Sequence, residues 1–190
     1  MKRIGLGVLM VCCQLVALAQ SPSSGVVKFP QLDPSPLDVL YYPINAVKVK
    51  ANEDVSPKIK VLYSRPAKKG REIFGVLEQY GKVWRLGANE STEINFFQAV
   101  TIGDKKIKAG KYSLFAIPYK EKWTFILNKQ TDRWGAFSYN EEKDILRIDL
   151  PVHLLEKPLE NFSMTFVDFE GGTNLVVAWD TQKVELPIYF

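Results

Sequence analysis

One histidine, His153, and two cysteines, Cys12 and Cys13, are all that 190 residues offer for multi-histidine or thiol chemistry. A lone histidine excludes a multi-histidine metal centre, and two cysteines exclude a four-cysteine zinc site. No GxSxG nucleophile motif accompanies the histidine, so a serine triad has no starting point. No P-loop or dinucleotide fingerprint occurs from residue 20 onward; the Gly5-x-Gly7 pair lies in the apolar N-terminal stretch read below as an export signal. The acidic run Glu141-Glu142-Lys143-Asp144 lacks calcium-loop spacing and reads as a solvated turn. No metal and no cofactor is therefore expected. Charge of one sign is also scarce, with 25 Lys+Arg against 21 Asp+Glu and a net charge of +4. That balance lacks the concentrated basic face of a nucleic-acid binder, so no nucleic-acid partner is expected. What remains, 46% apolar and 24% charged, is the composition of an ordinary globular protein.

Long apolar runs are missing too. The longest, residues 4–19, falls short of the roughly 20 residues that a membrane-spanning helix needs. It follows Lys2 and Arg3 and ends in Ala17-Leu18-Ala19, a small-x-small cleavage pattern. Residues 1–19 thus read as a secretory signal peptide. The protein is expected to be exported, periplasmic or secreted, with no membrane span once the signal is cleaved. Both cysteines would leave with the signal, so the exported chain would be free of disulfides. Lys2 and Arg3 would leave as well, bringing the net charge from +4 to +2. About 170 residues suffice without a covalent staple, since a chain of that size buries roughly 70% of its unfolded surface.

Residues 20–46 hold Pro22, Pro30, Pro34, Pro36 and Pro43. Proline fixes φ and removes a donor, so this stretch is expected as an extended lead with at most short edge strands. Residues 47–190 are expected to form a single domain in which apolar side chains recur at every second position. Ile59, Val61 and Tyr63 follow this period, as do Ile94 with Phe96 and Trp123 with Phe125 and Leu127. So do Leu146, Ile148 and Leu150, then Phe162, Met164 and Phe166, then Val184, Leu186, Ile188 and Phe190. Period two marks one buried face of a strand. Residues 112–117 are apolar on both faces, which suits a central strand. Gly103-Asp104-Lys105, Ala109-Gly110, residues 119–122 and residues 170–174 carry turn chemistry. Turns spaced about eight to twelve residues apart indicate an all-β fold. The expected architecture is one antiparallel β-sandwich, jelly-roll-like, of about nine or ten strands, with a β-barrel as the alternative. Helices are expected only as short pieces near residues 140–143 and 152–156.

The densest chemistry lies in residues 63–92. Arg65, Lys68, Lys69 and Arg71 crowd one turn, where Pro66 and Gly70 shape the backbone. A guanidinium fork there could hold a carboxylate or phosphate. A solvated basic loop paired with Glu72 or Glu78 is the plainer reading. Further on, Trp84, Arg85, Asn89, Glu90 and Thr92 flank the small residues Gly87 and Ala88. Tryptophan, arginine and amide groups meeting in a concavity could bind a sugar or a small polar molecule. Glu90 could serve as a general acid or base, with Arg85 stabilising developing negative charge. The structural alternative makes Trp84 core, Asn89 a turn residue and Arg85–Glu90 an ion pair.

These residues also resemble a bacterial family, domain of unknown function 2911. The resemblance rests on Tyr63-Ser64-Arg65-Pro66, Lys69-Gly70-Arg71, Phe74-Gly75 and Tyr80-Gly81-Lys82-Val83-Trp84-Arg85. It continues through Gly87-Ala88-Asn89-Glu90, Thr92, Ala109-Gly110, Tyr112-Ser113-Leu114-Phe115, Ile117-Pro118, Trp123-Thr124 and Trp134-Gly135. It covers roughly residues 45–190, and departs from the family pattern at Leu86 and Lys108. It implies a secreted or periplasmic bacterial protein with no assigned reaction. It directs attention to Arg65, Arg71, Trp84, Arg85, Asn89 and Glu90.

Three functions follow as expectations. The first is a non-catalytic module binding a small polar molecule or glycan through Arg65, Arg71, Trp84, Arg85, Asn89, Glu90 and Thr92. The second is an envelope scaffold in which the motif stabilises the fold. The third is a hydrolase or isomerase using Glu90.

Overall fold

The structure, a computed structural model, describes residues 25–44, 46–48 and 55–190. The expected export signal lies outside the described residues. Residues 25–31 are irregular and exposed, and belong to a unit separate from Leu32–Phe190. The second unit is the folded domain.

Ten strands build it, in two antiparallel sheets that do not close into a barrel. The first sheet has six strands in the order β1-β2-β3-β6-β7-β8. These are β1 (Leu37–Tyr42), β2 (Ile59–Ser64), β3 (Thr92–Phe96), β6 (Gly110–Pro118), β7 (Lys122–Asn128) and β8 (Asp144–Pro151). The second sheet has four strands in the order β5-β4-β10-β9. These are β4 (Val100–Ile102), β5 (Lys105–Ile107), β9 (His153–Phe169) and β10 (Gly172–Tyr189). The all-β sandwich expected from period two is the fold observed. The proline-rich lead supplies β1, an edge strand paired from Leu37↔Ser64 to Tyr42↔Ile59.

Alternation explains the core. Ile59, Val61 and Tyr63 of β2, Ile94 and Phe96 of β3, and Trp123, Phe125 and Leu127 of β7 are buried. They meet Phe162, Met164 and Phe166 of β9 and Val184, Leu186 and Ile188 of β10. At one end, an aromatic cluster fills the space between the sheets. Trp84 stacks on Trp179 with ring centroids 6.0 Å apart and meets Trp123 edge-on at 5.6 Å. Each indole N–H finds an acceptor, as buried tryptophans require. Trp84 donates to the Gly87 carbonyl, Trp123 to Gln182 Oε1 and Trp179 to the Glu160 carbonyl.

One of the two short helices is present as a 3-10 turn, Glu141–Lys143, capped by the Asn140 side chain. The other is corrected: from His153 onward the chain is a 17-residue strand. Its apolar residues do not alternate cleanly because this part of β9 is an exposed edge. Its pairing with β10 also shifts register between Ala178 and Gln182. Pro158 is tolerated there because an edge strand has an outward side that needs no donor.

β6 is buried on both faces, as the apolar run at residues 112–117 anticipated. Its inner side chains Leu114 and Ala116 join the main core. Its outer ones, Phe115 and Ile117, join Ile126 of β7 in a second cluster covered by Val83, Ala136 and Tyr139. Two irregular segments therefore cover the outer face of the first sheet. One lies between β2 and β3, the other between β7 and β8. The candidate site lies where they meet.

Candidate functional site

The β2–β3 connection is long, and long ordered loops in compact domains are usually functional. It is anchored inside by Ile73, Trp84 and Leu86, all buried. Trp84 also pairs with Ala116 of β6 through two backbone hydrogen bonds, of 2.7 and 3.0 Å. Alternation about Trp84 then turns Val83 and Arg85 outward. The chain next makes a sharp turn. Leu86 and Asn89 take left-handed backbone angles, φ 56° and 59°. Such angles are unfavourable for a branched, buried leucine and are held only by strong surroundings. Gly87, at φ 149°, lies so close to β2 that a Cβ there would sit 2.9 Å from the Ser64 carbonyl oxygen. The Thr92 hydroxyl closes the turn by donating to the Leu86 carbonyl at 2.5 Å.

This turn fixes Arg85. Its guanidinium donates to the Asn89 carbonyl at 3.0 Å and lies over the Phe137 ring, 5.6 Å from the centroid. The same Asn89 carbonyl accepts from the Gly135 N–H, and the Arg133 carbonyl accepts from the Ser91 N–H. The second covering segment is thereby tied to the first. Two polar networks hold its ends. Ser113 donates to the Gln130 carbonyl and contacts Ser91. At the other end, Tyr139 donates to Asp144 at 2.6 Å, and Arg147 and Asn128 donate to the same carboxylate. Burial together with the Asp144 carboxylate pushes the Tyr139 hydroxyl up to about 12, so it stays a donor.

Between the two segments lies a cleft of about 230 Å³ lined by Glu78, Val83, Trp84, Arg85, Ala136 and Phe137. Glu78 is half-buried, and the loop holds it through backbone bonds from its own N–H to Ile73 and from Gly75 to its carbonyl. Burial pushes the Glu78 carboxyl up to about 7 from an ordinary 4.5, against the pull of Arg85 and Arg71. Its carboxylate takes no hydrogen bond and forms no ion pair with Arg85 among the described residues. A guanidinium and an acidic side chain thus face one cleft without bonding each other, beside an apolar wall.

The other expected site residues go elsewhere. Arg65 clamps β1 to β9, bonding Asp38, the Phe162 carbonyl and Ser163. Arg71 donates to the carbonyls of Ala67 and Lys68 in its own turn. Lys68 pairs with Asp180 at 2.5 Å, not with Glu72 or Glu78. Trp84 belongs mainly to the aromatic cluster and Thr92 to the turn. Asn89 reaches Asp33 through its side chain at 3.0 Å. Glu90 is exposed, and its backbone bridges to Trp134. It lines a separate cavity of about 160 Å³ with Glu93, Asp132 and Arg133. The Arg85–Glu90 ion pair does not form: the two side chains line different cavities. A larger depression of about 560 Å³ opens beside Tyr119 and Pro151, but there Lys122 and Asp149 neutralise each other at 2.5 Å. Among the described residues, no group of histidine, cysteine and carboxylate side chains could hold a metal.

A family model described as protein of unknown function, DUF2911, matches residues 45–188, and so runs from β2 into β10 and takes in both covering segments but not the edge strand β1. The chain belongs to this family. In this DUF2911 domain the stretch matched includes every residue lining the cleft. Comparison with curated proteins and with solved structures gave no match. Sequence reading found Arg85 but missed Glu78 and Phe137. The available signal was weak: Glu78 is a carboxylate among apolar neighbours, Phe74, Val76, Leu77 and Tyr80.

Proposed function

We propose that this DUF2911 domain is an exported, non-catalytic binding module for a small polar ligand, and that its site is the Glu78–Arg85 cleft. The observation that carries this reading is that the Arg85 guanidinium and the Glu78 carboxyl face one cleft without bonding each other. Polar groups withdrawn from water are normally hydrogen-bonded, so leaving these two apart suits a third party that satisfies both. Phe137, 82% exposed, offers the ligand an apolar face. The cleft is smaller than the about 300–1,000 Å³ of drug-sized pockets, which restricts it to a small molecule or one sugar unit. The strained turn beneath Arg85 fits a site whose geometry is held at some expense to stability.

A scaffold role draws on a different observation: Arg65, Trp84 and Thr92 of the same motif tie strands together. An acid–base role for Glu90 has less behind it, because that carboxylate is exposed and Arg85 is directed elsewhere. The test is a thermal-shift screen of the protein against sugars, peptides and organic anions. A ligand at a hundred times its Kd should add about 2.7 kcal/mol of stability. The effect should vanish in Arg85→Met. A hit whose effect survives that substitution would place binding elsewhere, and a screen without hits would favour the scaffold.

A further inference from the structure

We infer that the Glu78–Arg85 cleft takes a small organic carboxylate together with one proton, which rests on Glu78. The inference rests on the binding reading above and deepens it by naming the ligand class. Arg85 presents a planar fork whose geometry matches a carboxylate better than a hydroxyl. Only one of its donors is used internally, toward Asn89. The guanidinium lies over the Phe137 ring, and Gly135 leaves room for it. A Cβ at Gly135 would stand 3.1 Å from the Arg85 terminal nitrogen and 3.0 Å from the Phe137 ring.

Glu78 decides the proton. The charges acting on it are Arg85 and Arg71. The opposite segment contributes to the cleft only uncharged Ala136 and Phe137. If a carboxylate ligand occupied the fork while Glu78 stayed ionised, two negative charges would share a half-buried site with Arg85. A protonated Glu78 removes that repulsion and gains a role, donating its O–H to the free lone pair of a ligand carboxylate oxygen. The balance is simple: the ligand anion and a proton enter, no covalent bond changes, and the proton leaves with the ligand. Burial already holds Glu78 near neutrality, so the proton is available at about pH 7.

The experiment uses matched probes on the whole protein: benzoate against benzyl alcohol, and glucuronate against glucose. Calorimetric titrations at pH 6 and pH 8, in phosphate and in Tris, report affinity and proton uptake together. At least one acid should bind better than its neutral partner. It should bind about tenfold more weakly at pH 8 than at pH 6, and take up close to one proton at pH 8. Glu78→Gln should keep the binding and lose both the pH dependence and the proton uptake. Arg85→Met should lose the acid, and Arg85→Lys should weaken it. Acid binding that is pH-independent, or still pH-dependent in Glu78→Gln, would overturn the inference. Neutral probes binding in place of acids would overturn it too, while leaving the binding cleft standing. No binding by any of the four would remove the inference and the reading beneath it.

Discussion

Replacing Glu78 by glutamine tests the cleft without any ligand. Glutamine keeps the size of the side chain and fixes it in the uncharged form. In the folded protein Glu78 loses its proton near 7, in the unfolded chain near 4.5. Folding therefore favours the protonated form. The native state's advantage is complete below the unfolded value and lost as pH rises through the folded one. The gap, at about 1.4 kcal/mol per pH unit, corresponds to about 3 kcal/mol. Relative to Glu78→Gln, the wild type should be equally stable at pH 4 and about 3 kcal/mol less stable at pH 8.5. For a domain of this size about 3 kcal/mol is roughly 6–12 °C in Tm. The assay is thermal unfolding of both proteins in parallel, from pH 4 to pH 8.5. Taking the difference between them cancels every other titrating group. A difference that stays flat across this range would refute the burial of Glu78, and one that grows toward low pH would reverse its sign.

The structural roles of the remaining motif residues can be read by urea unfolding. Trp84→Ala should cost about 3–5 kcal/mol, because it empties the middle of the aromatic cluster. Arg65→Met should cost about 1–3 kcal/mol by releasing Asp38, Ser163 and the Phe162 carbonyl. Gly87→Ala should cost at least about 1 kcal/mol, since its Cβ has no room against the Ser64 carbonyl oxygen. Glu90→Gln should leave stability within about 0.5 kcal/mol; a loss like that of Trp84→Ala would mean Glu90 holds the turn.

Much of the fold is legible in the two-residue period, because a sandwich imposes the same alternation on each strand that faces its core. β2, β3 and β7 declare themselves this way, and Gly103-Asp104 and Glu170-Gly171 mark real hairpins. β9 resists because an edge strand exposed on much of its length has no partner face to enforce a pattern, and Pro158 speaks against a strand locally. The first half of β10 is apolar on both sides from Leu175 to Trp179 and carries no clean alternation there either. The site was half legible. Arg85 stands in a run with a clear alternation about Trp84, which sends it outward. Glu78 and Phe137 belong to irregular segments about sixty residues apart, joined by backbone bonds of Asn89 with Gly135 and Ser91 with Arg133 and by Arg85 over Phe137. No local pattern encodes such a meeting.

The double anchoring of the segment over β6 and β7 has a kinetic consequence. With one end fastened at Ser113 and Gln130 and the other at Tyr139 and Asp144, the backbone at Ala136 and Phe137 forms a fixed wall, not a lid. Association then orders little beyond the Phe137 ring and the Glu78 side chain, at about 0.5–1.5 kcal/mol for each. A ligand should enter and leave in a single step whose observed rate rises linearly with concentration, with no slow closing phase behind it.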